Sequence, residues 1–232
     1  GSNHARLLPR YIEELLRYTA EQHLSIEAVA LSEGPGSYTG LRIGASTAKG
    51  LCYGLNVPLI SVPTLQVLCE AAKANYELRM TNDDMTQGAS VILVPMIDAR
   101  RMEVYTDVQG DKVQSTKENT ARAVVVENEE DILSPSLEER DGERLHVYYF
   151  GDGAAKCQAV LTKPNWHFVP DIVPEAQYVG SFVERQINVQ SDKVQCTKDA
   201  MREIKGADLA YYEPFYLKEF VAAQSHVKGL KP

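Results

Sequence analysis

What the sequence lacks narrows its function before any motif is considered. Across 232 residues there is no apolar run approaching the roughly 18 residues of a membrane span, and no secretory leader precedes the first helix. A soluble, cytoplasmic protein with no membrane contact is expected. Basic charge is in deficit: Lys and Arg number 24 against 32 Asp and Glu, a formal charge of -8. The broad positive field that neutralises phosphates is therefore absent, which disfavours strong direct binding of nucleic acid. Cysteine is sparse and scattered. Cys52, Cys69, Cys157 and Cys196 form no C-x-x-C pair and sit in apolar-rich segments, as reduced structural thiols do. The five histidines, His4, His23, His146, His167 and His226, show no metal-ligand spacing, so they read as surface or locally hydrogen-bonded residues. No G-x-S-x-G elbow and no Gly-Lys-Ser/Thr phosphate loop occurs.

What is present reads as alternating helices and strands. From Leu7 to Tyr18, at about 100° per residue, the apolar side chains Leu7, Leu8, Tyr11, Ile12, Leu15, Leu16 and Tyr18 spread over roughly 180°. A surface helix needs only about 100° of apolar stripe, so this one is either deeply seated or keeps a face for a partner. Ile26 to Leu31 predicts a short strand, and Leu41 to Leu55 a helix of small and apolar residues. Gly44, Gly50 and Gly54 each cost about 1 kcal/mol in such a helix, which suggests close approach by another helix. Pro58 to Val62 and a helix from Thr64 toward Tyr76 complete a strand-helix-strand-helix unit with parallel pairing. The polar stretch 79–88 predicts a boundary, dividing the chain into 1–78 and 79–232, with the last residues returning to the first half. The second half opens with strands over 90–97 and 102–108 joined by turns, a meander that Ala123 to Val126 extends. Glu127 to Asp131 reads as a solvated loop leading into a helix. Val147 to Phe150 reads as a strand, Ala154 as a helix start, and 174–189 as a longer helix before the closing segment 207–217.

Chemistry is hard to find among these elements. The loop carrying Gly34, Gly36, Ser37, Thr39 and Gly40 lies between a strand and a helix N-terminus, where free amides can hold an anion. A tight turn needed to reverse the chain explains the same glycines. Gly151-Asp152-Gly153 and Asp98 are open to the same two readings, nucleotide contact or turn formation.

Four stretches carry a resemblance. They are the run Asn3-His4-Ala5-Arg6-Leu7-Leu8-Pro9, the run from Gly34-Pro35-Gly36-Ser37-Tyr38-Thr39-Gly40 through Leu41-Arg42-Ile43-Gly44, the run Asp98-Ala99-Arg100-Arg101-Met102-Glu103-Val104-Tyr105, and Pro214-Phe215-Tyr216-Leu217. In order and spacing the sequence resembles the bacterial TsaB (YeaZ) family, most firmly over the first 105 residues or so. The resemblance implies an α/β fold of the actin, sugar kinase and Hsp70 (ASKHA) type in two halves. It implies pairing with the catalytic relative TsaD, with the ATPase TsaE joining them. Together these use the threonylcarbamoyl-adenylate made by TsaC to form N6-threonylcarbamoyladenosine beside the anticodon of tRNA.

A non-catalytic scaffold that meets tRNA indirectly is thus expected, with no cofactor, no metal, and a homodimer when TsaD is absent. TsaD carries an H-x-x-x-H metal pair, which this sequence lacks. The resemblance places the first two helices at the pairing contact, so the expected interface is Leu7, Tyr11, Leu15, Tyr18, Arg42, Ala45, Ala48, Lys49 and Cys52. Family members also carry a strand hairpin with a phosphate loop before the first helix. That segment is not in this sequence, so a nucleotide site in it would be incomplete. A small-molecule kinase of the same fold is the alternative, and a peptidase the weakest reading.

Overall fold

A computed structural model describes residues 4–76, 90–110, 120–134, 145–191, 202–204 and 207–217. Helix α1 runs His4–Glu21, with Pro9 inside it removing one intrahelical hydrogen bond. His23, in the left-handed region at φ 54, turns the chain out of the helix. Strand β1 (Val29–Ser32) lies parallel to β2 (Leu59–Val62). Between them α2 (Tyr38–Leu55) begins at Ser37, whose hydroxyl accepts from the Gly40 amide, and ends at Asn56, held left-handed at φ 55. Helix α2 thus starts three residues before the expected Leu41, because Ser37 serves as its cap.

Helix α3 (Thr64–Tyr76) leads toward a second sheet of five strands. There β3 (Ser90–Asp98), β4 (Glu103–Thr106) and β5 (Arg122–Val125) form the antiparallel meander, and β6 (Leu145–Phe150) and β7 (Trp166–Val169) continue parallel on the other side of β3. Helix α4 (Ala176–Ser191) follows, then β8 (Arg202–Ile204), antiparallel to β2, and α5 (Ala207–Tyr211). The polar stretch 79–88 lies outside the described residues.

One face of the five-stranded sheet is covered by the segment 126–161, burying Met96, Val104, Ile132, Leu133 and Trp166. The other face takes α3, through Leu65, Leu68, Cys69 and Ala72. Helix α4 sets Val179, Phe182 and Val183 against Ile60, Val62 and Val67. A fourth cluster joins α2 to the chain's end, where Ala45, Ala48 and Cys52 meet Leu59 and Tyr212.

Three expectations need correction. The acidic stretch after Glu127 holds only a short 3-10 turn at Glu129–Asp131, and Glu129 is buried because its carboxylate accepts from the Thr162 and Lys163 amides at 2.7 and 3.0 Å. Burial pushes its pKa up, yet those amides and its own together hold it below the ordinary value. The element at Ala154 is likewise a 3-10 turn, Ala155–Ala159. Finally, only Gly44 of the α2 glycines is closely approached, by Leu31 of β1 rather than by a helix; a Cβ at Gly50 or Gly54 would meet open space.

Candidate pairing surface and cleft

The expected interface residues separate into two groups. On α1, Leu7 is half-buried, while Tyr11, Leu15 and Tyr18 are 62%, 59% and 56% exposed; none of the described α1 side chains is buried. On α2, Ala45, Ala48 and Cys52 face inward, sealed by Leu59 and Tyr212 of the same chain. Their assignment to a partner surface is therefore corrected. They are small because the Tyr212 ring needs the space, and their spacing marks the core stripe of the helix. Lys49 is also engaged within the chain, its Nζ donating to the carbonyls of Ala210 and Tyr212 at 2.8 and 2.9 Å. Arg42 is exposed, with its guanidinium 4.5 Å above the Tyr38 ring.

The outward face of α2 is instead Ser46, Gly50, Gly54 and Tyr53, the last 87% exposed. Sequence reasoning missed Tyr53. Its signal was available: it is an aromatic one residue past Cys52, so it falls off the small-residue stripe that the core takes.

The 34–40 loop is built as a turn. Gly34 sits at φ +118, and a Cβ there would come within 2.5 Å of the Phe215 carbonyl oxygen, so glycine is required. Its amide donates to Thr64 Oγ1 at 3.0 Å, and its carbonyl accepts from the Thr64 amide at 2.8 Å. Gly36, Ser37 and Thr39 line one side of a cleft of about 620 Å³ whose other walls are Ile97 to Arg100, Tyr105, Asp152 and the segment 215–217.

The carboxylates at this cleft are committed to structure. Asp152 Oδ1 accepts from the Asp98 amide at 2.9 Å, tying the ends of β3 and β6 together. Asp98 is paired with Lys156, which also donates to the Glu103 carbonyl at 2.7 Å. The Lys156 hydrogen bond is the main cause of a pKa below the ordinary carboxylate value at Asp98. Gly151, at φ +105 against the Met96 carbonyl, makes Gly151-Asp152-Gly153 a turn that a side chain would block.

Elsewhere, His146 Nδ1 and His167 Nε2 lie 3.0 Å apart across β6 and β7, a local hydrogen bond. Cys52, Cys69 and Cys157 are buried free thiols, with burial pushing the Cys69 pKa well up; Cys196 and His226 lie outside the described residues. Among the described residues no group of three or more His, Cys, Asp or Glu is placed to hold a metal ion, and no helix is long and apolar enough to cross a membrane.

A family model described as TsaD, tRNA N6-adenosine threonylcarbamoyltransferase, matches residues 1–222. The chain belongs to this family. Within it, the chain is similar to proteins named tRNA threonylcarbamoyladenosine biosynthesis protein TsaB. The Escherichia coli protein is 28% identical over 218 residues, covering 94% of this chain and 81% of that protein. The Haemophilus influenzae protein is 36% identical over 111 residues, 47% of this chain and 42% of that protein. A tRNA N6-adenosine threonylcarbamoyltransferase of Geotalea daltonii is 42% identical, but over only 59 residues, 25% of this chain.

Among solved structures, YeaZ from Pseudomonas aeruginosa superposes with a TM-score of 0.61 at 20% identity, covering 92% of this chain and 85% of that one. A second, described as an uncharacterized protein with similarity to peptidase YEAZ from the same organism, gives 0.60 at 19% identity, over 90% and 83%. The TsaB resemblance and the ASKHA-type fold of two α/β halves hold.

Proposed function

We propose that this chain is a non-catalytic TsaB-type subunit of cytoplasmic tRNA threonylcarbamoyladenosine biosynthesis, acting by pairing with a TsaD-type catalytic relative. The observation that carries this reading is the uncovered apolar face of α1 and α2. Tyr11, Leu15, Tyr18 and Tyr53 stand more than half exposed, and Gly50 and Gly54 have nothing of their own chain within 4 Å of a Cβ. Burying rings of this size is a main source of association energy, and glycines let a facing helix approach closely.

The interface proposed is therefore Leu7, Tyr11, Leu15 and Tyr18 of α1 with Arg42, Ser46, Gly50, Tyr53 and Gly54 of α2. Residues 1–78 form the pairing half and 79–232 the second. TsaE would join the pair, the TsaC product would be consumed by TsaD, and tRNA would be met through the complex. Without TsaD the same face would close on a second copy of the chain. Support for a subunit without chemistry of its own comes from Asp98 and Asp152, which are spent on Lys156 and a backbone amide.

Co-purification with TsaD tests the reading: stable pairing that fails in Tyr53→Glu supports it. ATP turnover by the chain alone would favour the small-molecule kinase alternative.

A further inference from the structure

The chain's end is held in two different ways. Tyr212 is buried between Ala45, Ala48 and Cys52, Pro214 is buried beside it, and Lys49 grips the Ala210 and Tyr212 carbonyls. Just beyond, the packing loosens. Phe215 is 42% exposed, Tyr216 and Leu217 are half-buried, and all three line the cleft opposite the residues from Pro35 to Thr39. They are tied down by the Phe215 amide donating to the Glu33 carbonyl at 2.8 Å and by the Tyr216 ring, 5.1 Å from that of Tyr38.

We propose that Phe215 to Leu217 form a lid on the cleft, swinging from the Tyr212 and Pro214 anchor, and that lid opening controls access to the Gly36 to Thr39 wall. The free energy of local opening follows burial, so the exposed segment opens at lower cost than its anchor. Opening leaves the remaining architecture standing. Ser37 still caps α2, Arg42 still covers Tyr38, and Lys49 still holds Tyr212. The closed position also explains Gly34, since the Phe215 carbonyl oxygen occupies the space that any Cβ at 34 would need.

Amide exchange and thiol labelling test the lid directly, without any partner. The Phe215 amide should exchange at least about 100-fold faster than that of Val94 in the core strand β3, and Tyr216→Ala should quicken it about 10-fold further with Val94 unchanged. A cysteine at Gly36, where a Cβ meets nothing within 4 Å, introduced with Cys196→Ser, should react with a maleimide several-fold faster in Tyr216→Ala. Circular dichroism confirms that the variants are folded, and Lys49→Met, which loosens the anchor itself, should additionally quicken exchange across 207–212. Equal exchange at Phe215 and Val94 would overturn the lid, because the segment would then open only with the whole fold. So would a labelling rate at position 36 that ignores Tyr216→Ala.

Discussion

Helices α1 and α3 are built from similar apolar content and meet opposite fates. In α1 the apolar residues are gathered on one side and the charges on the other, yet no described side chain is buried. In α3 the separation is weaker, and Leu65, Val67, Leu68, Cys69, Ala71 and Ala72 are all sealed from solvent. Helix α3 is covered by the five-stranded sheet on one side and by α4 on another. Even its Glu70 is buried, and is matched by Arg185 of α4. Amphipathicity records how many sides of a helix will be covered, and one strongly two-faced helix with nothing on its apolar side is a helix that serves a second molecule.

The sharpest way to break the comparison is a charge on each side of α2. Ala48→Glu places a carboxylate in the Tyr212 cluster without a partner, and loss of the folded state by circular dichroism is expected. The next test compares α3 with α1. Leu68→Ala should cost about 2–5 kcal/mol in urea unfolding, whereas Leu15→Ala should cost under about 0.5 kcal/mol. Comparable losses would mean that α1 is part of the core.

A smaller effect concerns Asp107, which is 5% exposed and whose pKa is pushed up to about 6 by burial, against hydrogen bonds from Gln109 and the charge of Arg122. Its folded pKa lies above its unfolded one, so the folded state binds the proton more tightly. This group's contribution to stability is present below about pH 4 and lost as pH rises through about 6, roughly 2–3 kcal/mol in all. Asp107→Asn should remove that part of the pH dependence, read from unfolding midpoints at pH 4.5 and 7. The smallest contrast is in the loop: Gly34→Ala should cost about 1–3 kcal/mol, and Gly36→Ala close to nothing.

Much of this was legible in the sequence. The Ser37 cap, the β1-α2-β2-α3 order and the meander through Asp98 follow from local rules of periodicity and turn chemistry. β7 and β8 were missed because strands of four and three residues carry too little pattern, and their places come from pairing with β6 and β2. The exposed α1 stripe was visible as width, but whether a wide stripe is buried depends on elements far along the chain. Misassignment of Ala45, Ala48 and Cys52 has the same origin. A small-residue stripe says that something packs closely, and only tertiary structure names Tyr212 as that something. Tyr53 and Gly50, on the opposite side, are what that choice left outside.

The most direct test of the account is the affinity of the chain for a TsaD-type partner, measured by isothermal titration for wild type and for Tyr53→Glu. Circular dichroism and unfolding midpoint should be unchanged in the variant, and affinity should fall by at least about 100-fold, the loss of a central aromatic anchor at an interface. A folded Tyr53→Glu chain that binds as tightly as wild type would contradict the account, because the outward face of α2 would then not be where this protein meets its partner.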